Sequence, residues 1–309
     1  MSYSIGGLIQ SADYNGFANT NSPNVNSVWA SGSSNTGYGQ SPLATVTTAT
    51  KVSFTNWANL ISTISNIAAH QGSTITTLSP APSLGGKIKG FVPTLNDNIN
   101  TIYTNRLNAN SQGTDSTTTI TNSISSWVDT LTMTFTLTFV SANAIRYFFN
   151  GGGQLGLSFS HPTGPTIDAL ISDICSEIGT IWLSGTNSGT VTLSGTTFNG
   201  VTKIGGVASI RGTANINNGF YNWTGVASNC YRQYGDVPYG SYTAGTFLDI
   251  LAQYNGTTGI TITCLFDEIP NGAIASTGTQ ATLTVRPPSA TYLTNTWGSP
   301  VISSNIVPI

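Results

Sequence analysis

Between residues 131 and 139 the chain alternates strictly, with Leu131, Met133, Phe135, Leu137 and Phe139 separated by Thr132, Thr134, Thr136 and Thr138. A period of two sends successive side chains to opposite faces, so the segment predicts a half-buried strand with one apolar and one hydroxyl face. Further on, Ile145 to Phe149 and Leu155 to Phe159 flank Asn-Gly-Gly-Gly-Gln. Glycines there can take positive φ angles, and the pattern predicts a hairpin over 144–160. Shorter strands are predicted near 189–194, 206–214, 244–253, 259–267 and 280–286, divided by Gly and Asn turns.

Helical spacing dominates the first third instead. Phe54, Trp57, Ile61, Ile64 and Ala68 share one face, and Gly72 stands as a stop, which predicts a helix near 53–70. A second helix is predicted after Pro93, ending near Asn108, with Thr94 as cap, Asp97 three residues on, and Leu95, Ile99, Ile102 and Arg106 along one stripe. The run Ser-Pro-Ala-Pro-Ser-Leu-Gly-Gly between them breaks regular structure. Residues 111–120 have no stripe and read as a linker or the lead-in to a strand. After Pro165 and Thr166, Ile167, Leu170, Ile171, Ile174 and Ile178 form the face of a helix covering one side of the sheet.

These patterns define an α+β chain with two parts: a small N-terminal helical and loop attachment module over 1–110, and a mainly antiparallel β domain with one covering helix over 111–309. At 309 residues two domains are expected, although a single large β domain of this length is not unusual. Polar loops in the first part bury little of their own, so neighbouring chains are the expected clamp that orders them.

Composition sharpens the picture. Apolar residues at 39% and aromatics at 10% suffice for a packed core, and no stretch reaches the roughly 18 to 20 apolar residues of a membrane span. Charged residues are only 6%, against about 25% in an ordinary domain, so the polar surface consists of Thr, Ser, Asn and Gly. Such groups are cheaper to desolvate than charges, which points to burial in subunit contacts. The net charge of −2, with Lys and Arg scattered singly, offers no stripe for nucleic acid and no run for a membrane surface. Met-Ser-Tyr-Ser-Ile lacks the basic and apolar start of a secretion signal, so synthesis in a cytoplasm is expected.

The search for chemistry returns no catalytic set, no metal site and no cofactor. Cys175, Cys230 and Cys264 are odd in number and far apart, as buried reduced thiols are. His70 and His161 stand without a carboxylate or cysteine at ligand spacing and read as surface or capping residues. Asp168, Asp173 and Glu177 read as the solvated face of their helix, while Asp267 and Glu268 point to opposite faces of a strand end. Gly151 to Gly153 lacks the Lys-Ser or Lys-Thr of a phosphate cradle, and the sequons at Asn222 and Asn255 are chance matches in an Asn/Thr-rich chain. Phe220, Tyr221, Trp223, Tyr231, Tyr234, Tyr239 and Tyr242 crowd into 23 residues, a density that suits an oligomer interface and also suits stacking on sugar rings. The candidate interface residues are Trp29, Tyr38 and Trp57 in the first part and Tyr221, Trp223, Tyr231 and Tyr234 in the second.

Several stretches carry a family resemblance. They are Ala12-Asp13-Tyr14-Asn15, Val25-Asn26-Ser27-Val28-Trp29, Gly37-Tyr38-Gly39-Gln40-Ser41, the Trp57 helix ending Ala69-His70-Gln71, Ala144 through Gln154, and Ile260-Thr261-Ile262 through Phe266-Asp267. In these the chain resembles virion structural proteins of tailed bacteriophages, chiefly contractile-tailed phages of cyanobacteria. The resemblance implies a particle component of the neck or collar, tail, or baseplate and fibre apparatus, partnered by copies of itself and other virion proteins, and no catalytic residues. A host-recognition protein binding surface glycan is the alternative, and a virion-associated polysaccharide hydrolase, which needs two carboxylates flanking a groove, is the third reading.

Overall fold

A computed structural model describes residues 11–47, 51–78, 91–121, 126–185, 191–193, 195–207, 211–235, 245–269, 274–276 and 278–308. The Pro- and Gly-rich run at 79–86, Tyr239 and Tyr242 lie outside the described residues.

The N-terminal part is helical. Helix α1 (Ser11–Asn15) continues as one π turn to Thr20, and α2 (Val25–Trp29) follows, capped by Asn24. Helix α3 (Phe54–Gln71) starts at Ser53, whose hydroxyl and Asn56 form a reciprocal capping box, and stops at Gly72, which turns left-handed at φ +64. Its buried face is Trp57, Leu60, Ile64, Ile67 and Ala68, rotated from the predicted stripe so that Phe54 is exposed. Helix α4 runs Val92–Thr104. Thr94 is therefore inside the helix and not its cap, and Arg106 lies beyond the last turn.

Two antiparallel sheets with helices packed on them form most of the rest, so the chain is α+β with a short helical N-terminal part. The five-stranded sheet runs in the order β1 (Ser116–Thr121), β14 (Gln280–Arg286), β4 (Gln154–Ser160), β5 (Thr180–Leu183), β8 (Val201–Ile204). The six-stranded sheet runs β15 (Val301–Pro308), β3 (Thr130–Thr138), β12 (Gly259–Asp267), β11 (Phe247–Tyr254), β10 (Ser228–Tyr234), β9 (Gly212–Ala214). Two small ribbons, β2 (Ser126–Val128) with β13 (Ile274–Ser276) and β6 (Val191–Leu193) with β7 (Thr196–Phe198), stand apart from them.

Strand β3 follows its alternation: Leu131, Met133, Phe135 and Leu137 are fully buried, opposite Phe266, Cys264, Ile262 and Ile260 of β12. Of the two readings of 111–120, linker or lead-in to a strand, the structure has the second, because 116–121 joins a sheet as β1. The predicted hairpin at 144–160 is half corrected. Its second arm is β4, but the first is helix α5 (Ala142–Asn150), opened by Ser141, whose hydroxyl accepts from Ala144 N. Ala144, Ile145, Phe148 and Phe149 fall on one side at helical spacing, and the glycines form the turn from that helix into β4. Five residues, Ile-Arg-Tyr-Phe-Phe, are too few to separate the two periods; the hydroxyl cap at Ser141 is a helix-start signal.

Helix α6 (Ile167–Ile178) touches β4 of one sheet and β10 of the other. It is gripped on two sides, so Asp168 and Glu177 are buried, which corrects their reading as a solvated face. One buried cluster runs from Tyr14 and Phe17 through Trp57, Ile102, Phe135, Phe148, Ile174 and Phe266 to Trp297. The helices of the first part and both sheets thus share a single core.

Candidate functional site

Arg146 and Asn150 are four residues apart, so helix α5 presents both on one face. That face meets the loop after α2. Arg146 donates from Nη2 to Ser31 O (3.0 Å) and Thr36 O (3.0 Å), from Nε to Ser34 O (3.1 Å), and from Nη1 to Asn143 Oδ1 (2.7 Å). Asn150 Nδ2 reaches Gly37 O (3.0 Å), and the Tyr221 hydroxyl sits 2.8 Å from Ser34 O and 2.7 Å from Asn150 Oδ1.

The next residues of that loop are held from other sides. The Tyr38 hydroxyl donates to Arg106 O (2.6 Å) and accepts from Gln71 Nε2 (2.9 Å). Gln40 exchanges both amide bonds with Thr294, to its carbonyl at 3.0 Å and from its N–H at 2.8 Å. His70 is fully buried, edge-on to Tyr38, with Nε2 2.8 Å from Gly151 O and Nδ1 3.2 Å from Ser111 Oγ. A carbonyl can only accept, so Nε2 carries a proton, and in the neutral ring Nδ1 accepts from the serine. Burial pushes its pKa below the ordinary value, against the pull of the Gly151 bond. The stretches 37–41, 69–71 and 144–154, distant in sequence, therefore converge on one polar knot. Its donors satisfy the chain's own carbonyls, so its chemistry is that of holding. It also corrects one expectation, since His70 is not a surface residue, and it holds the loop at 31–41 by bonds within the chain.

The second histidine sits in another buried chain of bonds. His161 Nε2 lies 3.0 Å from Asp168 Oδ1, its Nδ1 2.8 Å from Thr279 Oγ1, and Trp127 Nε1 donates to that same hydroxyl at 3.0 Å. Hydroxyl, imidazole and carboxylate in this order resemble an activated nucleophile. However, Thr279, Trp127 and the His161 side chain are all buried, which leaves a substrate no approach to the hydroxyl. The arrangement ties α6 to the segment leading into β14. Burial again lowers the imidazole pKa, with the bond to Asp168 and its charge opposing.

The solvent face of the six-stranded sheet carries a recess of about 630 Å³ lined by Thr213, Asn215, Asn229, Arg232, Tyr234 and Asp249, among others. Arg232 and Asp249 are directly opposed across β10 and β11 and pair through two bonds, 2.6 and 2.5 Å. Arg232 Nη1 also donates to the Tyr234 hydroxyl at 3.0 Å, and its guanidinium lies 4.1 Å from the Phe247 ring centre. The carboxylate holds the arginine charged further above its usual range.

Of the seven predicted interface aromatics, Tyr38, Trp57, Trp223 and Tyr231 are buried inside their own chain, none above 5% exposed. Trp57 packs edge-on against Tyr14 and Phe17, Trp223 against Phe149 and Phe220, and the Tyr231 hydroxyl donates to Gln233 Oε1 at 2.8 Å. Trp29, Tyr221 and Tyr234 are half-buried, and the Trp29 indole donates to Ser41 O at 3.0 Å. The structure thus corrects the four buried rings as surface anchors: a large ring gains as much from its own core as from a partner's. The three cysteines are free and buried, with Cys230 pushed up to about 12 by burial. Among the described residues no group of three or more His, Cys, Asp or Glu stands close enough to hold a metal.

Sequence reading missed Arg146, Asn150 and Gln40. The signal for the first two was their spacing of four, hidden because the segment was read as a strand.

Compared with protein-family models, with curated proteins and with solved structures, the chain matches none.

Proposed function

We propose that the chain is a non-enzymatic structural subunit of a tailed-phage particle, in the neck or collar, tail, or baseplate and fibre apparatus. It works by packing against copies of itself and other virion proteins. The sequence resemblance suggests the setting, and the observation that carries the mode of action is the state of the charges. The chain has only 20, 9 basic and 11 acidic, and its five arginines are all engaged internally. Arg106 donates to Asn35 O, Arg146 to the loop after α2, Arg211 to Gly235 O, Arg232 to Asp249 and Arg286 to Asp115. Little charge is left to solvate the surface, while Val140, Val207, Ile216, Val226 and Val301 are each more than half exposed. Uncharged polar groups interspersed with apolar ones suit burial against a partner, because little desolvation opposes the apolar gain.

A density map of the purified particle with this chain located in it tests the reading. The expected result is several copies, each covered by neighbours over much of its surface. Absence from purified particles, or turnover of envelope glycans by the purified chain, overturns it.

A second reading, recognition of a host surface glycan, has one observation in its favour. The recess around Arg232, Asp249, Asn215 and Asn229 offers amide, guanidinium and carboxylate groups on an open sheet face. Against it, both Arg211 and Arg232 lie over the Tyr234 ring, at 5.5 Å each, where a sugar would stack.

A further inference from the structure

Strand β15 ends the six-stranded sheet, and its whole outer edge is unpaired by any described strand. An open edge presents a row of backbone donors and acceptors to any extended chain, and proteins blunt such edges with charge, proline, a bulge or short length. Two of the other sheet edges show these devices, since β9 has three residues and follows Arg211, and β8 has four and carries Lys203; the fourth edge, β1, is a six-residue strand whose only apolar residue is Ile120. β15 has none of these devices from Val301 to Val307. It is eight residues long, its register with β3 is unbroken from Val301 to Pro308, it has no charged residue, and its one proline is the last. It also carries two of the large exposed apolar residues, Val301 at 72% and Val307 at 46%.

The sequence of the strand says what fits there. Val301-Ile302-Ser303-Ser304-Asn305-Ile306-Val307 reads nearly the same in both directions about Ser304. An antiparallel copy related by a two-fold axis through Ser304 sets Val301 against Val307, Ile302 against Ile306, Ser303 against Asn305, and Ser304 against itself. Every pair is apolar with apolar or hydrogen-bonding with hydrogen-bonding, and each falls on one face, since the paired positions differ by an even number. Ile302 and Ile306 already rest on the core and would extend it across the axis. β1 also approaches this rim without a ladder to β15, but its Ser-Thr-Thr-Thr-Ile-Thr lacks apolar partners for both valines.

We infer that β15 is a self-pairing edge: two copies of this chain join β15 to β15 antiparallel about Ser304, fusing two six-stranded sheets into one of twelve. The contact is isologous, so it closes on a pair and leaves the remaining surfaces for other neighbours. This rests on the assembly reading above and names one partner within it.

Charge at the axis provides the test. Because Ser304 meets its own copy, Ser304→Lys places two like charges together, and Ser304→Asp does the same with the opposite sign. Sedimentation of the full chain is expected to show a dimer for the unchanged protein, an affinity at least about tenfold weaker for either variant alone, and recovery when the two are mixed. Ser304 is exposed, so circular dichroism should show both variants folded. Oxidation of the double variant Val301→Cys and Val307→Cys should give a covalent dimer, whereas Val301→Cys alone should not. Within one chain these positions are about 20 Å apart, beyond any disulfide, and the native cysteines are buried.

A dimer that persists undiminished in Ser304→Lys, or an unchanged chain that stays monomeric at its solubility limit, overturns the edge pairing. Neither result removes the chain from purified particles, so the assembly reading fails by a separate observation.

Discussion

Replacing Gly39 with alanine puts a methyl group where the structure has a ring. A Cβ at that position would lie 2.3 Å from Tyr147 Cδ2 and 2.6 Å from its Cγ, and the glycine sits at φ +74. Two costs follow. An L-residue in the left-handed region loses roughly 1–2 kcal/mol, and overfilling a packed site costs typically about 1–3 kcal/mol. Both contacts are at the root of the tyrosine ring, so it cannot move aside by its tip. Helix α5 cannot retreat either, because Arg146 and Asn150 bind it to the loop that carries Gly39. The expected loss is thus on the order of 2–5 kcal/mol, read as a lower urea midpoint at unchanged slope. Repeating Gly39→Ala in a Tyr147→Ala background should remove the steric part and leave about 1–2 kcal/mol of backbone strain. Equal costs in the two backgrounds, or a loss under about 1 kcal/mol in the first, would refute the packing argument.

Three further outcomes are expected. Phe135→Asp places an unpaired carboxylate at a fully buried position and should cost on the order of 3 kcal/mol or more; a urea midpoint close to that of the unchanged protein would contradict it. Burial lowers both histidine pKa values from the ordinary 6.5, so below that pH the unfolded chain takes up protons that the folded one resists. Stability should be full above about pH 6.5, fall as pH drops from there towards the folded values, and fall less steeply in His70→Gln; midpoints that stay level or rise from pH 7.5 to pH 5 would show the sign to be wrong. Association should depend only weakly on NaCl, since 20 charged residues in 309 provide few ionic contacts to screen, and release of subunits by moderate salt at neutral pH would count against the proposed assembly.

Local rules settled those elements whose signal is local. Strand β3 needed only its period of two, α3 only Ser53, a helical stripe and Gly72, and α6 only Pro165 and its row of isoleucines. Scarcity of charge, too, is a property of the sequence alone, and it pointed to buried, uncharged surfaces from the first. What tertiary structure decided was wherever one local signal fits two outcomes. Ile145 to Phe149 suits a strand or a helix, and Ser141 together with the core behind α5 selected the helix. Asp173 and Glu177, four residues apart, have the spacing of a solvated face, but α6 is gripped by both sheets, and His161 and Gln233 supply the bonds that make the burial of Asp168 and Glu177 tolerable. Tyr38, Trp57, Trp223 and Tyr231 have the area for an interface, and whether that area meets a partner or the chain's own core depends on residues scores of positions away. The polar knot is of the same kind: Gln40 and Thr294 are 254 residues apart, and no periodicity links them. Backbone and side-chain groups far apart in sequence find partners only once the sheets have formed, which is why the segments read as separable in sequence share one core in the fold.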